Sequence, residues 1–143
     1  MKTVIVYGST TGNTETAAEI IRDALLQKGI TADVYNAANT KPSTVAGYDL
    51  YLLGCSTWGI GDLQDDFEGF YGNMTADVFR GKKAAVFGCG DSNAFSDSFC
   101  AALDNIAEKA KDCGAEVIGE LLRIDGDVDD NEDDIRLWAK GLI

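Results

Sequence analysis

Apolar residues along this chain fall into two patterns, and the two alternate. Short continuous runs occur at Thr3-Val4-Ile5-Val6-Tyr7, Leu50-Tyr51-Leu52-Leu53-Gly54-Cys55 and Lys83-Ala84-Ala85-Val86-Phe87-Gly88. Runs without a polar centre suit parallel strands buried on both faces. A short run at Thr31–Tyr35 and an unbroken one at Glu116–Ile124 predict two more strands. Between the runs, apolar residues recur at helical spacing: Ala17, Ile20, Ile21, Ala24 and Leu25, then Phe99, Leu103, Ile106 and Ala110, then Ile135, Trp138 and Leu142. Phe67, Phe70 and Tyr71 predict a short helix over 65–71. The connection 36–47, with the chain's only proline at Pro42, has room for a helical turn. Gly29 and Gly114 mark helix ends.

Strand and helix thus alternate five times. That order predicts an α/β fold: a doubly wound parallel sheet with helices on both faces, in one domain spanning 1–143. Right-handed crossovers bring the loops after the first, third and fourth strands to one sheet edge, at the switch point where such folds bind ligands. These three loops are also the ones rich in Gly, Ser, Thr and aromatic residues.

The first loop, Gly8-Ser9-Thr10-Thr11-Gly12-Asn13-Thr14, joins a strand to a helix and offers hydroxyl, amide and backbone N–H donors. A helix N-terminus reached in this way is an anion site. No Lys or Arg lies between Lys2 and Arg22, so the loop lacks the lysine that a nucleoside-triphosphate loop sets on its β- and γ-phosphates. It suits a single phosphate held by neutral donors. The plainer reading of this loop alone is a polar turn with a good N-cap. The second loop runs Ser56-Thr57-Trp58-Gly59-Ile60-Gly61-Asp62, and the third Cys89-Gly90-Asp91-Ser92-Asn93-Ala94-Phe95.

Charge and composition narrow the chemistry. With 24 acidic against 12 basic residues the net charge is −12, which argues against nucleic acid or an anionic membrane as partner and for a basic protein. Solubility alone would also account for it. There is no histidine, so the usual general base and the commonest metal ligand are missing. Cys55, Cys89, Cys100 and Cys113 form no C-x-x-C pair and read as reduced thiols of a cytoplasmic protein. No leader segment or membrane span is expected. The acidic run 125–134 fails as a calcium loop, because its sixth residue is Asp130 and its twelfth Arg136. Gly88-Cys89-Gly90 lacks the third glycine of a dinucleotide fingerprint. A receiver domain would need paired acids where Tyr7-Gly8-Ser9 stands.

With all three loops in view, the chain resembles the flavodoxins over its whole length. Ser9-Thr10-Thr11-Gly12-Asn13-Thr14 is similar to that family's phosphate loop. Gly54-Cys55-Ser56-Thr57-Trp58-Gly59 with Leu63-Gln64-Asp65-Asp66-Phe67 resembles its second flavin loop, and Gly88-Cys89-Gly90-Asp91-Ser92 its third. The resemblance implies a single three-layer α-β-α domain with a five-stranded parallel sheet in the order 2-1-3-4-5. It implies non-covalent FMN and one-electron transfer at low potential between semiquinone and hydroquinone, with no catalytic residue and no metal. Ser9, Thr10, Thr11, Gly12, Asn13 and Thr14 would hold the phosphate. Ser56, Thr57, Trp58 and Gly59 would line the ring's inner side, with the Gly59-Ile60 peptide turning toward flavin N5. The third loop, with Cys89, Gly90 and Phe99, would close the outer face, and would offer backbone donors of Asp91 and Cys100 and the Ser98 carbonyl to the pyrimidine edge. The family commonly covers that outer face with Tyr; Phe95 is the match here, with Phe99 competing. The unbroken fifth strand places the chain with short-chain flavodoxins, although its flavin loops resemble those of long-chain members.

Further expectations follow from the resemblance. The partners would be redox proteins with basic docking surfaces, such as ferredoxin/flavodoxin reductases or oxidoreductases normally served by ferredoxin, and the chain would be monomeric. The alternative on the same fold is an FMN-dependent NAD(P)H or quinone reductase. That enzyme needs a second substrate pocket, and no added segment is present to build one. Cys89 and Cys100 lack a neighbouring His or Arg to make a thiolate and read as packing residues.

Overall fold

The computed structural model of the chain describes residues 2–8, 13–55, 57–58, 62–63, 65–90, 101–125 and 128–142. The apolar runs become strands β1 (Thr3–Gly8), β2 (Ala32–Asn36), β3 (Leu50–Cys55) and β6 (Lys83–Gly90). Two short pieces, β4 (Thr57–Trp58) and β5 (Asp62–Leu63), lie between β3 and β6 in the chain, and β7 (Glu116–Val117) and β8 (Leu122–Asp125) follow. The helices are α1 (Asn13–Gln27), α2 (Asp65–Gly72), α3 (Ala76–Phe79), α4 (Ala101–Asp112) and α5 (Glu132–Gly141). The connection after β2 carries two 3-10 turns, Ala37–Asn39 and Pro42–Val45.

The main sheet is parallel, in the order β2-β1-β3-β6-β7, with β8 also paired to β6. This is the predicted 2-1-3-4-5 arrangement with one correction: the fifth strand is not continuous. β7 pairs with the start of β6 (Lys83↔Glu116) and β8 with its end (Phe87↔Leu122 to Gly90↔Asp125). Between them the chain leaves the sheet at Gly119, whose φ of +68° breaks the extended run. The Trp138 indole donates 2.7 Å to the Glu120 carbonyl and holds the gap open. Ile118, Leu121 and Leu122 are half-buried, and it is this apolar content that made the run read as one strand.

Every residue of β1 and β3 is buried because both faces are covered. Alternate side chains feed two cores. Val4, Val6, Tyr51, Leu53 and Val86 face α2, α3 and α4, meeting Phe67, Phe70, Phe79, Leu103 and Ile106. Ile5, Leu52, Phe87 and Ile124 face α1 and α5, meeting Ile21, Leu25, Ile135 and Ala139. α1 and α5 are further joined at the surface by Arg136, which donates to Asp23 at 2.7 Å and to Glu132 at 3.2 Å.

All strands of the main sheet point the same way, so Gly8, Cys55, Gly90 and Asp125 end together at one rim. The opposite edge is the base. Gly8 lies level with Cys55, and Gly88 is paired with Arg123.

Candidate functional site

The rim gathers the three loops named from sequence. Between β1 and α1 only residues 9–12 intervene, so strand end and helix start are tightly joined. Ser9, Thr10, Thr11 and Gly12 lie outside the described residues. Asn13 opens α1, and Thr14 in its first turn is fully buried. Across the sheet, Cys89 near the end of β6 is 5% exposed and packs in the same core as Ala17, Ala18 and Tyr7. Burial pushes its thiol up to about 11, partly offset by a hydrogen bond from the Thr14 side chain. The first and third loops therefore share a side-chain bond at their roots, and the thiol keeps its proton at neutral pH.

The second loop, read from the sequence as a small-residue loop, contains a short strand pair. Thr57 and Trp58 form β4, which pairs antiparallel with β5 (Thr57↔Leu63, Trp58↔Asp62) and lies beside β6 and α4. The hairpin thus carries the Trp58 backbone toward the third loop's root. Ser56 and Gly59 lie outside the described residues. In the third loop Gly90 ends β6, while Asp91, Phe95, Ser98, Phe99 and Cys100 lie outside them.

Two glycines shape the rim by closeness. A Cβ on Gly54 would lie 2.3 Å from the buried Phe87 ring, and one on Gly88 would lie 2.0 Å from the Cys55 carbonyl oxygen. Neither distance is sterically possible, so strand ends and loops close up only with hydrogen there. Two features at this end went unread in the sequence. Tyr7, read as a strand hydrophobe, has its hydroxyl raised in pKa, first by burial and then by Glu15, to which it is hydrogen-bonded, with Asn36 acting oppositely. This joins the end of β1 to the first turn of α1 and the end of β2. Arg123 of β8 binds Asp104 of α4 at 2.6 Å. An acid in the first turn after a loop is the signal that could have flagged Asp104.

Charge is divided between rim and base. Glu15, Asp104 and the trio Glu132, Asp133 and Asp134 occupy first helical turns at the rim, joined by exposed Asp129 and Asp130. Lys109 and Lys111 in the last turn of α4, and Lys140 in that of α5, lie toward the base, with Lys28 just past α1 and Lys82 and Lys83 at the start of β6. Neutral donors at a helix N-terminus, with no cation in the loop, fit a phosphate monoester better than a polyphosphate.

Residues 5–138 match the family model for flavodoxin. The chain is 46% identical over 144 residues to a flavodoxin of Maridesulfovibrio salexigens, covering 99% of this chain and 96% of that protein. It is 40% identical over 143 residues to a flavodoxin of Nitratidesulfovibrio vulgaris, covering 98% and 95%. Among solved structures, oxidised flavodoxin 1 from Bacillus cereus superposes with a TM-score of 0.85 at 33% identity, covering 97% of this chain and 95% of that one.

Proposed function

The chain belongs to the flavodoxin family, and on that premise we propose that it binds one FMN non-covalently and carries single electrons at low potential between redox proteins, without turning over a substrate of its own. Flavodoxins are electron carriers. The observation that carries the reading is the convergence of β1, β3 and β6 at one rim, with Thr14 and Cys89 bonded across the roots of two loops.

Bound there, FMN supplies a ring that takes up electrons one at a time. The protein's part is to hold and tune it. Ser9, Thr10, Thr11, Gly12, Asn13 and Thr14 hold the phosphate through neutral donors and the N-terminus of α1. Trp58 and Phe95 wall the ring, bordered by Ser56, Thr57, Gly59, Cys89, Gly90, Asp91, Ser98, Phe99 and Cys100. Apolar walls and nearby carboxylates both oppose added negative charge. One carboxylate about 10 Å away costs roughly 0.4–1.7 kcal/mol between effective dielectrics of ~80 and ~20. Several such terms make the fully reduced form a strong reductant.

The same acidic rim suits partners with basic docking faces, such as ferredoxin/flavodoxin reductases or oxidoreductases otherwise served by ferredoxin, and attraction to them weakens as salt rises. We place the protein in the cytoplasm as a monomer. No described helix is long and apolar enough to cross a membrane, and the buried Cys55, Cys89 and Cys113 form no disulfide among the described residues.

The test is a visible spectrum of the purified protein with FMN through stepwise anaerobic reduction. A bound yellow flavin that passes through a blue species before bleaching, and that stays oxidised with NAD(P)H alone, is the expected result. Rapid bleaching by NAD(P)H would reassign the protein as a reductase. Failure to bind FMN would overturn the cofactor itself.

A further inference from the structure

The chain leaves the sheet at Gly90 and returns at Ala101, the first residue of α4. The first turn of α4 therefore fixes one end of the third loop. Two contacts hold that turn. Leu103 is fully buried over Gly88, where a Cβ would approach its Cδ2 to 2.7 Å. Asp104, the next residue, accepts a hydrogen bond from Arg123 Nη2 at 2.6 Å, with the two side chains 33% (Arg123) and 57% (Asp104) exposed. Arg123 sits on β8 directly opposite Gly88. Apolar seat and ion pair thus grip consecutive residues of α4 from one level of the sheet. The ionic part of the grip comes from β8, the half of the broken fifth strand that pairs with the rim end of β6.

We propose that Arg123 and Asp104 are a positioning pair: by fixing where α4 begins, they fix the end at which the third loop rejoins the fold, and so the affinity for flavin. The proposal rests on the FMN reading above. Pure electrostatics makes a different prediction. Losing Arg123 would make the protein more negative and weaken binding of the dianionic FMN, whereas losing the Asp104 charge would tighten it. A positioning pair weakens binding whichever partner is lost.

Wild-type apoprotein is titrated first with FMN, then with riboflavin, which lacks the phosphate, following quenching of flavin fluorescence. If wild type binds neither, the cofactor reading and this proposal fall together. If it binds, Arg123→Met and Asp104→Asn are each expected to weaken FMN about three- to fivefold, the scale of a half-exposed ion pair. The loss should be similar with riboflavin. The charge-reversed double variant Arg123→Asp/Asp104→Arg should recover at least half of the loss on a logarithmic scale. Opposite effects of the two single variants, or a loss confined to FMN, would overturn the proposal in favour of charge alone. Unchanged flavin affinity with a lowered unfolding midpoint of the apoprotein would overturn it in favour of a purely structural bond.

Discussion

At the base of the sheet Gly29 closes α1 at φ +80° with nothing within 4 Å of where its Cβ would stand, whereas at the rim Gly88 lies in a strand with a carbonyl oxygen 2.0 Å from that point. One glycine lets the chain turn; the other lets two strands and a helix crowd together. The charges divide along the same axis, and for a reason internal to the fold. Helices that connect parallel strands all begin at the rim and end at the base. Acids favoured at helix N-termini and cations favoured at C-termini therefore add up instead of cancelling. At Gly29 the chain changes direction in open space, where a substitution meets no neighbour. The rim joins close packing to a gathering of acids at helix N-termini, and the three loops spring from there.

The difference is sharpest in the glycines. Gly88→Ala should cost about 3 kcal/mol or more, since neither the Cys55 backbone nor the buried Leu103 can withdraw. Gly29→Ala should cost only ~1 kcal/mol, the strain of a left-handed residue in open space. Urea unfolding of the two apoproteins measures both; equal costs would erase the distinction between the ends.

Gly54→Ala should cost roughly 2 kcal/mol, because the obstacle is a side chain instead of backbone. Phe87, against which that Cβ would press, also stacks near Trp138, with ring centroids 6.1 Å apart. Phe87→Leu in the same chain should recover part of the loss, seen as a coupling of ~1 kcal/mol in a double-mutant cycle. Strict additivity would mean that the ring is not what excludes a Cβ.

The smallest effect separates two thiols. At pH 8 and below Cys89 is largely protonated whether the chain is folded or not. Between about 9 and 11 the unfolded chain releases the proton while the folded one keeps it, so stability falls as pH rises. By pH 10 that loss is roughly 1 kcal/mol. Comparing wild type with Cys89→Ala at pH 8 and 10 isolates it from the tyrosines. Cys113, at the base end of α4, is also raised by burial but eased by Lys109, and Cys113→Ala should change the pH dependence less. The reverse order would contradict the tighter packing of the rim.

The sheet and its layers were legible because strands buried on both faces leave uninterrupted apolar runs, as Leu50–Cys55 does, and because stripes such as Leu103, Ile106 and Ala110 keep helical period. The first loop was legible through its hydroxyls and its missing lysine. What escaped depends on what lies opposite. A two-residue strand such as Thr57–Trp58 has no period to read, and the four-residue α3 left no stripe. Nothing in Gly88 announces the Cys55 carbonyl, and Arg123 and Asp104 stand 19 residues apart before the fold joins them. The break at Gly119 was hidden by apolar neighbours that suit a strand equally well.

That break changes what the outer border of the sheet offers to another chain. A continuous nine-residue strand would expose a long row of unpaired N–H and C=O groups, the template on which foreign strands add. Here an incoming strand would find two residues at β7, then a left-handed glycine and a carbonyl already taken by the Trp138 indole, then four residues at β8. Neither piece is long enough to hold a foreign strand in register. The interruption leaves that border a poor template for edge-to-edge aggregation, at no cost to the rim that β8 supports.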